Sequence, residues 1–322
     1  AVLVDAYRGE IVVWPEAATR ETFEEKLANW RSTQVLCQGL CKAPAHTADG
    51  RRVHVEANVG IAEDVQLAIE NGADGVGLLR VEELYLTRDQ PPTQEELFHE
   101  LQAITAPLHD KPVTIRLLDV GSDKPLPFLR LPAEANRVLG LRGVRLLLEY
   151  PELTKIQLAA VLQLAQEQSI RVLIPMVTLE EDMEQFRELF EAVCADLGLR
   201  TSPLLGAMIE TPAAALSLSD IARHADFLSV GTNDLTQYTL AADRDDPSVN
   251  RYYQDNHASV MRLLRLIINE AGNKPLTVCG ELAGRDETLP DLMAMGYQSF
   301  SVSPSAIPTL KEVIRKTRLG PA

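Results

Sequence analysis

Eight times between Arg51 and Thr317 a short apolar run gives way to a helical period. No other feature of the chain limits its possible folds so sharply. The runs fall at residues 53–59, 75–80, 113–120, 171–177, 204–210, 227–233, 275–281 and 299–305. They are short, carry Val, Ile and Leu, and are bounded by Gly, Pro or charged residues, the pattern of strands buried on both faces of a parallel sheet. Helical patterns follow at 63–71, 93–108, 141–148 with 151–168, 179–197, 212–224, between 233 and 271, 287–295 and 307–317. Eight strand–helix units in about 270 residues predict an α/β chain closed as a (β/α)8 TIM barrel. A doubly wound open sheet is the alternative, and the count of eight favours closure. Pro175 is a blemish in the fourth run, because it cannot donate to a ladder and is tolerated only near a strand end.

Residues 1–50 stand apart. Y-R-G-E-I-V-V-W (7–14) reads as a hairpin around Gly9, residues 16–34 as a charged helix, and 39–50 as a loop. The expected division is therefore a hairpin and linker helix over 1–50, left over from a preceding domain, and a barrel over 51–322. The abrupt start, without an initiator Met, suggests a piece of a longer chain. A net charge of −15 argues against nucleic acid or an anionic membrane as the main partner. The four Cys (37, 41, 194 and 279) contain no C-x-x-C pair and no disulfide framework. Cys37 and Cys41 have no second ligand pair to build a zinc site. No apolar run approaches the length of a membrane span, and a reducing cytoplasm is the simplest home.

In a barrel of this kind the chemistry sits at the C-terminal ends of the strands. Residues unsuited to core packing fall at those ends. Arg80 ends the second run, Arg116 and Asp119 lie in the third, and Glu210 ends the fifth. Asn233 and Asp234 end the sixth, within F-L-S-V-G-T-N-D-L-T-Q-Y (227–238), and Cys279 and Glu281 end the seventh. Asn233 and Asp234 also read as N-caps of a helix starting at Leu235. Two guanidinium groups, two hard carboxylates and a thiol at one mouth suit a small phosphorylated acid held through Mg²⁺. Salt bridges such as Arg80 to Glu210 are the competing explanation. Arg244 either reaches the same mouth or pairs with Asp243, Asp245 or Asp246. Cys279 is an inert core residue, a nucleophile, or a proton donor to an enolate carbon, the last because a thiol's pKa lies near working pH. Lys124, in D-V-G-S-D-K, is a candidate anion contact outside any P-loop spacing. The six His show no pattern that marks a phosphorylation site.

At these residues the chain resembles a known family. G-V-G-L-L-R-V-E (75–82), T-I-R-L-L-D-V-G-S-D-K (114–124), L-G-L-R-G-V-R (139–145), M-I-E-T-P-A-A-A (208–215), S-V-G-T-N-D-L-T-Q-Y (229–238), D-R (243–244) and C-G-E-L-A-G (279–284) are similar, in collinear order, to motifs of the PEP-utilising enzymes. They most resemble those of the phosphoenolpyruvate–protein phosphotransferases (Enzyme I) of the bacterial sugar phosphotransferase system. The resemblance implies that Arg80 and Arg116 bind the phosphate and carboxylate of phosphoenolpyruvate, with Asn233 and Arg244 completing the pocket. It implies that Glu210 and Asp234 hold Mg²⁺, Asp234 touching substrate as well, and that Cys279 protonates enolpyruvate to pyruvate. Arg142 and Lys124 match positions near the phosphate. A homodimer, a cytoplasmic location and the first step of sugar uptake are implied too. So is transfer to a phosphocarrier protein through a separate domain bearing the accepting His. No stretch here resembles that His site, so autophosphorylation by this chain alone is not expected. Departures are mild: G-S-D-K stands for G-G-D-K at 121–124, and Leu79 for an aromatic. A pyruvate phosphate dikinase or PEP synthase, or a non-catalytic PEP-sensing dimerisation module, are the alternatives.

Overall fold

The first and last of the predicted strands hydrogen-bond to each other, and the sheet closes on itself. A computed structural model describes residues 1–5, 10–86, 88–121, 126–129, 136 and 138–320, with backbone only at Asp5 and 29–36. The barrel strands are β1 (Arg52–Val59), β2 (Val76–Arg80), β3 (Val113–Arg116), β4 (Ile170–Val177), β5 (Leu204–Ile209), β6 (Phe227–Gly231), β7 (Leu276–Cys279) and β8 (Ser299–Val302). Each pairs in parallel with the next, and β8 pairs with β1 from Ser299↔His54 to Val302↔Ala57. Closure leaves no strand edge with unpaired N–H and C=O groups. The fold is the expected (β/α)8 barrel.

Side chains alternate along each strand. On β1, Val53, Val55, Ala57 and Val59 are buried against the outer helices, and the polar His54, Glu56 and Asn58 take the intervening positions. The main core lies between strands and helices. A smaller apolar cluster, Leu78, Leu173, Met208, Phe227 and Cys279, stands apart from it. Glu56 on β1 pairs with Arg171 of β4 at 2.8 Å, and that guanidinium lies 5.6 Å from the centre of the Phe227 ring. A buried carboxylate this close to a guanidinium avoids an uncompensated charge.

The predicted elements are present with shifted ends. The third run leaves the ladder after Arg116 rather than at residue 120, because Asp119 turns to bond arginine side chains instead of continuing the sheet. Thr93 caps Gln94–Thr105 in a reciprocal capping box with Glu96. The expected helix at 212–224 is two short ones, Pro212–Leu216 and Leu218–Ile221. The N-terminal hairpin pairs Val2–Asp5 with Glu10–Val13, while Gly9 and its turn lie outside the described residues. The helix predicted at 16–34 extends over Ala17–Leu40, and the expected loop at 39–50 holds a short strand, Ala45–His46, antiparallel to β1. The added turns bury Cys37 and Cys41, which explains why the helix does not stop at 34. Among the described residues no helix is long and apolar enough to cross a membrane.

One buried cation ties this segment to the barrel. Lys311, on the last helix (Ile307–Lys316), is fully buried, and its ammonium donates to the carbonyls of Cys41 at 2.9 Å and Gly72 at 2.6 Å, with Asp74 at 3.7 Å. Lys311→Met keeps the stem but strands those carbonyls. It is expected to destabilise the fold by ~3 kcal/mol, read as a lower denaturation midpoint at unchanged slope; an unchanged midpoint would show the ammonium to be dispensable.

Candidate active site

A pocket of about 640 Å³ opens where the C-terminal ends of the strands converge. Arg80, Arg116, Glu210, Asn233, Asp234, Arg244 and Cys279, scattered over more than half the sequence, all line it. Among the described residues no histidine does.

Arg80 and Arg116 end adjacent strands as register partners. Their surroundings differ. Arg116 donates to Glu82 Oε1 at 2.8 Å and lies 3.3 Å from Asp119 Oδ2. Its Nε is buried without an acceptor among the described residues. Arg80 is exposed at the rim and, among the described residues, has no ion-pair partner. The Arg80–Glu210 bridge considered from sequence does not form.

Arg142, given less weight from sequence, sits at the centre of the site. Its Nε and Nη2 fork onto the two oxygens of Asp119 at 3.1 and 2.8 Å, the planar match that makes Arg–carboxylate pairs strong. Its Nη1 lies 3.5 Å from Asp234 Oδ1 and donates to the Tyr238 hydroxyl at 3.3 Å. Glu82, Arg116, Asp119, Arg142 and Asp234 thus form one continuous chain of alternating charge. Asp119 stood out in the sequence as a residue unsuited to core packing, whereas Glu82 and Arg142 were marked only by the wording of 75–82 and 139–145. Lys124 lies outside the described residues.

Asn233 and Asp234 do not end a strand, and they are not caps for a helix at Leu235. β6 stops at Gly231 and a helix, Thr232–Leu240, starts at once, with both residues in its first turn. Contacts to the end of β7 and the turn after it accompany that early start. Thr232 Oγ1 donates to the Cys279 carbonyl at 2.8 Å, and Asn233 Oδ1 accepts the Glu281 N–H at 2.9 Å. A carboxylate in the first turn also suits the positive end of the helix dipole. Arg244 is exposed, with Nε 4.0 Å from Asp245, and still borders the pocket.

Glu210 is almost fully buried. Its Oε1 accepts the Met176 N–H at 2.6 Å. Oε2 lies so close over Gly231 that a Cβ there would come within 2.5 Å of it. Burial, then the charges of Asp234 and Asp119, push its carboxyl up to about 8. Two hard carboxylates crowded together, one of them costly to ionise, suit a divalent cation. Among the described residues no group of three or more His, Cys, Asp or Glu forms a cage. A cation at Glu210 and Asp234 would complete its shell with ligand oxygens and water, as Mg²⁺ commonly does.

Cys279 departs from the expected pKa near neutrality. Its thiol donates to the Val230 carbonyl at 3.2 Å, with Ser229 Oγ at 3.7 Å, inside the apolar cluster of Leu78, Leu173, Met208 and Phe227. Burial pushes it up to about 12, so the sulfur keeps its proton at neutral pH. A thiolate nucleophile is disfavoured, and a proton donor fits.

The family model for the PEP-binding domain of PEP-utilising enzymes matches residues 36–319. The chain is 36% identical over 322 residues to the phosphoenolpyruvate-protein phosphotransferase of Priestia megaterium. It is 37% identical over 321 residues to that of Staphylococcus carnosus (strain TM300), and 35% over 322 to that of Bacillus subtilis (strain 168). Each alignment takes in 98% of this chain and 56% of the relative, so the chain spans little more than half the length of the curated relatives it matches.

Two measurements probe this geometry. Alkylation of Cys279 in the native protein, followed by peptide mass spectrometry, is expected to be negligible at pH 8 and to rise about tenfold per pH unit without a plateau up to pH 10; a plateau near pH 9 would show an ordinary thiol. Gly231→Ala, by driving a methyl group into Glu210, is expected to destabilise the fold by ~1–3 kcal/mol; an unchanged melting temperature would mean the carboxylate is free to move aside.

Proposed function

The chain belongs to the PEP-utilising enzymes, and from that premise we propose that its barrel binds phosphoenolpyruvate with Mg²⁺ and promotes transfer of the phosphoryl group to a protein histidine, releasing pyruvate. The observation that carries this reading is the polarity of the pocket. Among the described residues five arginines line it beside seven carboxylates, and a protonated thiol lies among apolar side chains. That gradient matches a molecule with phosphate and carboxylate at one end and a methylene carbon at the other.

Arg80, with no ion-pair partner among the described residues, meets the incoming anion, and Arg116 supports it from the adjacent strand. Arg142 offers a third guanidinium, already oriented by Asp119. Asn233, whose amide oxygen is engaged by Glu281 N–H, has its NH₂ group left to donate. Arg244 closes the outer side. Glu210 and Asp234 would hold Mg²⁺, which when bound neutralises phosphate charge and orients the transferring group. As the P–O bond breaks and the N–P bond to the accepting imidazole forms, the oxygen electron pair produces enolpyruvate. Its methylene carbon takes the proton from the Cys279 thiol, leaving pyruvate and a thiolate that solvent must reprotonate. Pre-set charges do most of the work in such a transfer, because the transition state spreads charge over the phosphoryl oxygens.

The same reading makes the accepting histidine part of a separate domain and a phosphocarrier protein the next acceptor. It also makes the barrel a homodimer acting in the cytoplasm at the first step of phosphotransferase sugar uptake.

Calorimetric titration with phosphoenolpyruvate is the direct test. Binding is expected with Mg²⁺ and to weaken at least tenfold with Arg116→Ala or Glu210→Gln; no heat with the wild-type chain at millimolar ligand would sink the proposal. Cys279→Ser is expected to bind phosphoenolpyruvate normally while lowering pyruvate formation at least a hundredfold, when a phosphohistidine domain is supplied in trans. Undiminished pyruvate formation would remove Cys279 from the chemistry. Labelled phosphoenolpyruvate with Mg²⁺ should leave no stable label on a histidine of this chain.

A further inference from the structure

Pro175 and Met176 interrupt β4 just before it ends. Proline supplies no N–H to the ladder, and the pairing of β4 with β5 shifts register between Ile174 and Val177. In that gap Met176 takes φ +59°, a left-handed conformation that a residue with a Cβ holds only where its surroundings impose it. Three contacts do so. The Met176 N–H donates to Glu210 Oε1 at 2.6 Å, and the Met176 carbonyl accepts the Thr178 hydroxyl at 3.0 Å. Gly143, at φ +55°, backs the pair, since a Cβ there would lie 2.5 Å from the Met176 Cβ and 3.1 Å from the Pro175 carbonyl oxygen. The Glu210 carboxylate is thereby gripped on both sides. The strained backbone of β4 bonds one oxygen, and the other rests on the bare Cα of Gly231, just before the turn that carries Asp234.

We propose that Met176 is a positioning residue: its left-handed backbone aims the N–H that fixes Glu210, so that Oε2 is the oxygen presented to the divalent cation. This rests on the reading of Glu210 and Asp234 as the cation's ligands. Side-chain packing does not explain the strain, because a buried methionine packs as well from extended backbone. The bond to Glu210 does explain it, since a regular strand would direct this N–H into the ladder. Gly143 follows Arg142 directly, so the same contact sets the Asp119–Arg142 fork and the Glu210 carboxylate in one frame.

The chain has six methionines, so selective ¹⁵N-methionine labelling of the whole chain gives a spectrum simple enough to follow one amide. The Met176 amide is expected to move on Glu210→Gln and on titration with Mg²⁺, more than the other methionine amides in each case. Binding of Mn²⁺, followed by the loss of its free paramagnetic signal, then compares four variants. Met176→Gly and Met176→Asn, which tolerate the left-handed region, should keep wild-type affinity. Met176→Val and Met176→Ile, which do not, should lose about 10–100-fold while still melting cooperatively. Equal affinity across all four, or equal loss across all four, would overturn the role of Met176 while leaving the cation site standing. An amide that responds to Glu210→Gln but not to Mg²⁺ would instead sink the cation assignment, and with it the presentation of Oε2.

Discussion

The pairing of β8 with β1 is the contact on which everything else in this protein depends. A parallel strand cannot turn back on its neighbour, so each crossover must travel through a helix, and an open sheet would leave two edges of unpaired amides. The four register pairs from Ser299↔His54 to Val302↔Ala57 remove both edges. They also decide where chemistry is possible. Once the ring is closed, all eight strands point the same way, and the residues at their C-terminal ends face one another across a single mouth. Arg80 and Glu210, 130 positions apart in the chain, border one pocket for that reason alone.

Closure brings charges together as well as strands, and the mouth must then be made electrically tolerable. Glu82, Arg116, Asp119, Arg142 and Asp234 alternate in sign through contacts of 2.8 to 3.5 Å. Buried ion pairs of this kind add little net stability relative to apolar packing, because desolvation consumes most of the attraction. Their retention here makes sense as orientation. Each guanidinium of this chain of charges is locked by a carboxylate, so its orientation is fixed before any ligand arrives. Among the described residues, the informative groups are the rim guanidinium of Arg80 and the buried Nε of Arg116, which lack partners, and the Glu210 carboxyl, which burial makes costly to ionise.

Much of this was legible before any coordinates. Strands buried on both faces are nearly continuous apolar runs, so their number and order could be read directly. Their ends could not, because a strand stops where side-chain bonding outcompetes the ladder, as at Asp119 and Thr232, and those partners lie far away in sequence. Pro175 is a case in between. It was visibly wrong for a strand interior, yet only the register shift beside it shows that the irregularity belongs to the site and not to a sheet edge. Cys279 shows the opposite limit. Its residue type suggested a thiol with a pKa near neutrality, and burial among Leu78, Leu173, Met208 and Phe227 makes it a firmly protonated one.

What the amino-acid sequence determined by itself is therefore the barrel and the chemical inventory at its mouth: strand count, strand order, and which charged or sulfur-bearing residues have no place in a core. The tertiary structure alone decided which of those residues are paired and which are open to a ligand, how Arg142 enters the site, and what protonation state burial imposes on Glu210 and Cys279. The division has one cause. Hydrophobic periodicity is a local property of the chain, whereas electrostatic energies depend on distances and dielectric surroundings that exist only after remote segments have met.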